Sequence, residues 1–421
     1  MRETGFSPSP APKVIVHIQT RMLTGGAEEN TWASCEHQIR QGHEVHLVCG
    51  HASRVDYYRA RNKQVRIHCI PEMQREISLR RDFDAYRQMK ALLRGIRPDI
   101  VHTHTSKAGV IGRLAARAAG APVILHGVHM LPFSNVGLAQ RLVYLLAEHA
   151  VAPLTDRYIH VSEGTRQAYL EARIGRAKPH AIVRSGMEIA RFRTNELPED
   201  VEDLLGASHQ DPGRPRVVLM LAALEARKRH EEFIRAFLRE LGDREDVVLL
   251  LAGDGPEKQS LVNLIDALDA NRRVRLLGHR DDPHKLICLA DATALSSLRE
   301  GLPRVVVQSL AGSRPAVVSP IEGIDEILRD GVNGLVVAND SAACVARAAV
   351  LLVRDAETLE TLRSGAEDTA VDEWTFESMF EQLDRTYAAA LDLAKPDFTS
   401  PKSGELRSGG ERRLASIAMR S

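Results

Sequence analysis

The chain is short of the features that announce several protein classes. Its five cysteines, Cys35, Cys49, Cys69, Cys288 and Cys344, are odd in number, scattered and never paired as Cys-x-x-Cys. That argues against a disulfide framework or a cysteine zinc site and suits a reducing compartment. No run approaches the ~18 consecutive apolar residues of a membrane span. The first residues, MRETGFSPSPAPK, lack the apolar stretch of a secretory leader, so residues 1–12 read as a loose N-terminus and the protein as cytoplasmic. Aromatic residues are only 4% of the chain, too few to suggest the stacking platforms that hold nucleic acid. No Gly-x-Gly-x-x-Gly follows the first predicted strand, so no dinucleotide site is expected.

Net charge is absent only in the sum. The first 190 residues carry 26 Lys and Arg against 16 Asp and Glu, and the other 231 carry 30 against 40. A basic first half suits an anionic partner such as a membrane surface or a lipid diphosphate. Arg75, Arg80, Arg81, Arg87, Lys90, Arg94 and Arg97 cluster in one helical region, although arginines that merely solubilise a helix give the same pattern. With 44% hydrophobic and 27% charged residues, a chain of 421 has the material for two ordinary cores.

The apolar runs repeat in one rhythm. KVIVHIQT (13–20) reads as a buried strand, followed by Gly25-Gly26 and a helix from about Thr31 to Gln41. Further strands are predicted over 43–49, 65–70, 99–104, 122–129 and 157–162, with helices such as 82–96, 107–119 and 135–151 between them. Residues 194–215, acidic and then rich in Gly and Pro, read as a connection carrying one short helix. A second strand and helix series runs from Arg216, with strands near 216–224, 246–252, 273–279, 292–297 and 315–319. Such alternation implies parallel βαβ units and doubly wound sheets, whose ligands bind past the carboxyl ends of the strands. Residues 374–394 read as a last helix, and 395–421, rich in Ser, Gly and Arg, as a disordered tail.

Chemistry concentrates in Leu298–Pro320, LREGLPRVVVQSLAGSRPAVVSP, a loop, a helix and a strand. Pro303 suits a first helical turn, which places Glu300 and free backbone N–H groups at a helix N-terminus, where phosphates are attracted. A carboxylate beside an anion cradle suits a ligand with hydroxyls and phosphate, as in a sugar nucleotide; the plainer alternative is an ordinary joint with a solvated Glu300. The predicted strand ends of the first half carry His102, His104, His126, His129 and Ser162. His102 and His104 share a strand face, but no third ligand stands at metal spacing, so they read as satisfied polar residues and no metal site is expected. The only Asp-x-Asp, Asp82-Phe83-Asp84, lies in the arginine-rich helix.

The order S-L-R-E-G-L-P, a helix, R-P-A-V-V-S, then Gly323, Glu326 and D-G-V-N-G-L-V-V resembles the donor-site signature of the family 4 retaining glycosyltransferases. The likeness spans about residues 13–393; HTHTSKAGVIGRLAARAAG (102–120) resembles branches working in exopolysaccharide and lipopolysaccharide assembly, and AIVRSGMEIARF (181–192) resembles the short strand and glycine turn with which the family leaves its first domain. It implies the GT-B fold, two doubly wound Rossmann-like domains facing each other across a cleft. An acceptor domain would span 13–192, a linker 193–215, a donor domain 216–372, and a helix over 373–394 would cross back to the first domain. It implies a nucleoside-diphosphate sugar as donor, a glycan or lipid-linked acceptor, no cofactor, no metal and retention of anomeric configuration. Glu300 then meets the sugar hydroxyls, Gln308 the ribose and Lys228 the diphosphate. Gly301, Leu302 and Pro303 form the loop at the sugar and phosphates, and Gly25 and Gly26 face the cleft from the other domain. His129 lies where the family's active-site histidine lies, with His126 as the other candidate.

Four positions depart from the family pattern. Ala222-Ala223 stand where an arginine is usual, Arg229 and Ser313 where glycines are usual, and Gln308 where a second glutamate is usual. Arg227 or Arg229 are the candidates to restore the missing charge. The departures leave two other readings open: a non-catalytic protein of the same fold in an envelope-assembly complex, and a sugar-nucleotide epimerase.

Overall fold

The computed structural model describes residues 11–23, 25–51 and 53–394. The tail read over 395–421 lies outside them, as does the N-terminus read over 1–12 apart from its last two residues. The first sheet holds seven strands: β1 Val14–Gln19, β2 Glu44–Gly50, β3 Arg66–Ile70, β4 Ile100–His104, β5 Val123–Val128, β6 Arg157–His160 and β7 His180–Ile182. Their spatial order is β3-β2-β1-β4-β5-β6-β7, and every pair is parallel. The second sheet holds β8 Arg216–Leu221, β9 Val247–Ala252, β10 Val274–Gly278, β11 Ala292–Leu295, β12 Ala316–Val318 and β13 Gly334–Val336. Its order is β10-β9-β8-β11-β12-β13, again all parallel. Each sheet reverses its winding once, between β1 and β4 in the first and between β8 and β11 in the second. Loops diverge at such a switch point and leave a crevice for ligand.

Both faces of each sheet are covered, which is why the strands read as continuous apolar runs. Along β8 and β9, Val218, Met220, Leu249 and Leu251 pack to one side while Val217, Leu219, Val248 and Leu250 pack to the other, the period-two alternation of a strand. In the first sheet Val16, Ile18, Val101 and Ile124 meet Ala85, Met89 and Leu93 of helix Leu79–Ile96. Ile15, Ile100, Val123 and Leu125 meet Met379, Leu383, Tyr387 and Ala390 of helix Phe376–Ala394, so the end of the chain returns to the first sheet. Between the domains, helix Val201–Leu205 buries Val201, Leu204 and Leu205 in the second domain's core.

The helices read over 82–96 and 135–151 each shift their start by three residues, to Leu79 and Leu138, and two elements differ further. The first helix runs Gly26–Arg40 and so starts five residues before Thr31, with Gly25 extended at φ −160° as its N-cap and Glu28 and Glu29 in its first turn. Those two acids complement the positive end of the helix dipole and allow the earlier start. Strand β13 was not predicted; three residues are too few to show a period.

Candidate active site

The loops that leave β8 and β11 meet at the second sheet's switch point. After β8 the chain makes a short turn, Ala226–Lys228, and after β11 it passes through residues 296–303 into helix Arg304–Ala311. The loops are tied by Ser296 Oγ donating to Lys228 O at 2.8 Å and by Leu298 N–H donating to Arg227 O at 2.9 Å. Lys228 and Glu300 are each only 8% exposed, and the Lys228 ammonium is paired with Glu300 Oε1. Arg227 reaches the same oxygen at 3.2 Å. Burial works against the charged carboxylate, but Lys228 and Arg227 outweigh it and hold Glu300 below the usual carboxyl range. Burial pulls the Lys228 ammonium below its ordinary value, with Glu300 resisting.

Of the two arginines that could replace the missing charge at Ala223, Arg227 faces the cluster and Arg229 does not. Arg229 donates to Ser296 O at 2.7 Å, to Ser319 Oγ at 3.0 Å and to Asp340 Oδ1 at 2.6 Å. Its backbone is left-handed at φ 58°, and that of Ser313 at φ 55°. Both positions that are usually glycine in the resembling family thus demand a glycine-like conformation here. Leu302 and Pro303 are buried in the loop, and Pro303 is the N-cap rather than the first helical residue. Gln308 stands in the second turn, partly exposed.

Across the cleft the approach is close. A Cβ on Gly301 would lie 1.7 Å from the His129 carbonyl oxygen, so no other residue fits there. Ser162 Oγ donates to Gly301 O at 2.9 Å, and Arg299 donates to Ser134 O at 3.2 Å. Gly26 opens the first helix beneath Arg304, which donates to Gly26 O at 3.2 Å and pairs with Glu29 at 2.8 Å; a Cβ on Gly26 would lie 2.6 Å from its side chain. In the first turn of the helix that Gly25 caps, it sits against Glu28, whose carboxyl is raised above its ordinary value, chiefly by burial. Arg184 ties Glu326 and Glu373, joining the first domain to the second and to the stretch before the last helix.

Of the two histidine candidates, His126 lies within β5 and His129 just past its end. His126 points into the first domain, where its Nδ1 is hydrogen-bonded to Thr103 Oγ1 at 3.0 Å. His129, just past β5, is partly exposed at the cleft, and its enclosure lowers its pKa to about 4.

The expectation that His102 and His104 lack a third ligand is corrected. Strand β1 lies beside β4 with His17 in register with His102, and the ligand atoms of His17, His102 and His104 lie within 4.8 Å of one another. Sequence spacing hid this because 85 residues separate two strands that the crossover makes neighbours. Sequence reading also passed over Arg304 and Glu28, which carry no motif. The Asp-x-Asp of the first domain is engaged elsewhere: Asp82 pairs with Lys107 at 2.6 Å.

Two family models match the chain, a glycosyl transferase 4-like domain over residues 25–186 and glycosyl transferases group 1 over residues 202–369. The UDP-Gal:alpha-D-GlcNAc-diphosphoundecaprenol alpha-1,3-galactosyltransferase of Escherichia coli is 27% identical over 77% of this chain and 83% of its own. The putative glycosyltransferase EpsD of Bacillus subtilis is 30% identical over 73% of this chain and 81% of its own. Among solved structures, Anabaena HepE in complex with UDP superposes with a TM-score of 0.71 at 21% identity, over 89% of this chain and 99% of that one. With its two Rossmann-like domains and these matches, the chain belongs to the family 4-like, GT-B glycosyltransferases and is a sugar-nucleotide-dependent enzyme.

Proposed function

We propose that the enzyme moves a sugar, with retention of configuration and without a metal, from a nucleoside-diphosphate sugar to a lipid-linked or polysaccharide acceptor of the cell envelope. The observation that carries this reading is the convergence of Lys228 and Arg227 on Glu300 beside the start of helix Arg304–Ala311. When a diphosphate enters, the two cations and the helix N–H groups meet the charge that grows on the leaving group. That supply of positive charge supports departure without a divalent ion. Glu300, released from the cations, accepts from sugar hydroxyls. Gln308 accepts from the ribose through its amide oxygen, a weaker bond than a carboxylate makes. His129 acts beside the sugar from the opposite wall.

The acceptor class rests on the relatives, one named for a diphosphoundecaprenol substrate and one in Rhizobium meliloti for lipopolysaccharide core biosynthesis. The first domain offers a surface for such a substrate. Leu138, Leu142 and Leu146 are exposed along one stripe of helix Leu138–Val151, and Ile77, Leu79 and Phe83 are exposed among Arg80, Arg81 and Arg87. Apolar side chains among basic ones suit the surface of an anionic membrane. The protein would then work peripherally, since no helix among the described residues is long and apolar enough to cross a bilayer.

The test is transfer in excess EDTA followed by NMR of the anomeric proton of the new linkage. An axial donor bond that remains axial, at a rate unchanged by EDTA, is the expected result. Inversion, or activity restored only by a divalent ion, contradicts the reading.

A further inference from the structure

Behind His129 the first domain buries an unbroken line of imidazoles. His129 Nε2 is hydrogen-bonded to His104 Nδ1 at 2.9 Å, His104 Nε2 to His17 Nδ1 at 2.9 Å, and His17 Nε2 to the side-chain Oε1 of Gln38 at 2.8 Å. His17, His104 and Gln38 are at most 3% exposed, so water cannot relax the line. It is built by three elements: β1 gives His17, β4 gives His104 and helix Gly26–Arg40 gives Gln38. A neutral imidazole has one donor and one acceptor nitrogen. In such a line the direction of every bond is therefore set by the group at its end.

We propose that Gln38, His17 and His104 are positioning residues for His129. Gln38 turns its side-chain Oε1, not its Nε2, to His17, and that oxygen can only accept, so His17 donates from Nε2 and accepts at Nδ1. His104 must then donate from Nε2 and accept at Nδ1, and His129 donates inward from Nε2. His129 Nδ1 is left as a lone pair, an acceptor for a sugar hydroxyl in the cleft. This deepens the proposed function and rests on it for the role of that lone pair, but not for the tautomer.

The surroundings keep the line neutral. The groups that face it are His102, whose Nδ1 is 2.8 Å from the Tyr387 hydroxyl on the last helix, with His126 on β5, Cys35 on the first helix and Asp384 beyond Tyr387. Burial lowers His17 to about 4 and His104 well below its ordinary value. His102 Nε2 is buried without a partner, so a metal held by His17, His102 and His104 is the competing arrangement; it would take a ring nitrogen that His17 and His104 each use in the line.

The test combines 15N NMR of the histidine rings in the full chain with steady-state kinetics at several pH values. His129, assigned with His129→Gln, is expected as the Nε2–H tautomer in the wild type. In Gln38→Met that single tautomer is lost, and kcat falls about tenfold with the donor KM unchanged. Gln38→Glu keeps an acceptor and so restores the tautomer, while its charge moves the acid limb of the kcat profile to higher pH. The proposal is overturned if the wild type shows Nδ1–H, if folded Gln38→Met keeps tautomer, kcat and pH profile, or if purified protein holds one equivalent of zinc that His102→Ala loses. If the wild type releases nucleotide from no sugar nucleotide, the functional reading fails while the ring spectra still decide the tautomer.

Discussion

At Gly301 the two domains approach until a single methyl group has no room, and the consequences belong to individual residues. Gly301→Ala must push the His129 carbonyl away and open the cleft at its reacting end. Its kcat/KM is expected to fall at least about 100-fold, since a 1 Å misplacement costs that much, with a melting temperature near wild type; unchanged kinetics would contradict the close approach. Ser313→Gly relieves a left-handed serine and should stabilise the protein by about 0.5–1 kcal/mol in urea unfolding. Burial lowers His17, His129 and His230 to about 4 and His160 to about 3. Unfolded histidines titrate near 6.5, so the unfolded chain takes up protons that the folded one refuses. Stability is therefore full above about pH 6.5 and falls towards pH 4, by up to ~1.4 kcal/mol per pH unit for each such histidine. Unfolding titrations at pH 7.5, 6 and 5 check the slope. Lys228, Glu300 and Gly301 were legible because they sit in contiguous motifs. Arg227 as a partner of Glu300 was not, because 73 residues separate the two and only the packing of the loops joins them.

Among the elements, one device recurs that the strands themselves did not advertise. Asp99 before β4 accepts from Val14 N–H at 2.8 Å, Asp156 before β6 from Ile124 N–H at 2.7 Å, and Asp291 before β11 from Val217 N–H at 2.8 Å. Each aspartate fastens the start of its strand to the first amides of the neighbour. The Asp291 side chain is 2% exposed, so Asp291→Ala leaves the buried Val217 amide unpaired, while Arg216, 3.1 Å away and 43% exposed, turns to water. The expected cost is about 1–3 kcal/mol in denaturant unfolding, with little change in nucleotide affinity because the strand starts lie at the far end from the cleft. Most strands could be read from sequence because burial on both faces leaves long apolar runs. The exceptions, β13 and the early start of helix Gly26–Arg40, depend on a very short pairing and on a glycine cap without a side chain.

For the whole molecule, the uneven charge and the exposed leucines make one expectation about where it works. It should sediment with vesicles containing phosphatidylglycerol and much less with phosphatidylcholine alone, and Leu142→Glu with Leu146→Glu should weaken that binding about tenfold or more. Equal binding to both vesicles would remove the electrostatic part of the argument. The two-domain plan was evident in the doubled rhythm of strands and helices, but the closeness of the walls was not, because it depends on contacts such as Arg304 with Gly26. The most direct measurement is release of nucleoside diphosphate from a panel of sugar nucleotides, with a lipid-linked acceptor and EDTA, by wild type, Lys228→Ala and Glu300→Gln. Turnover of one sugar nucleotide is expected, with at least about a 100-fold loss in either folded variant. Release that both substitutions leave intact would contradict that expectation.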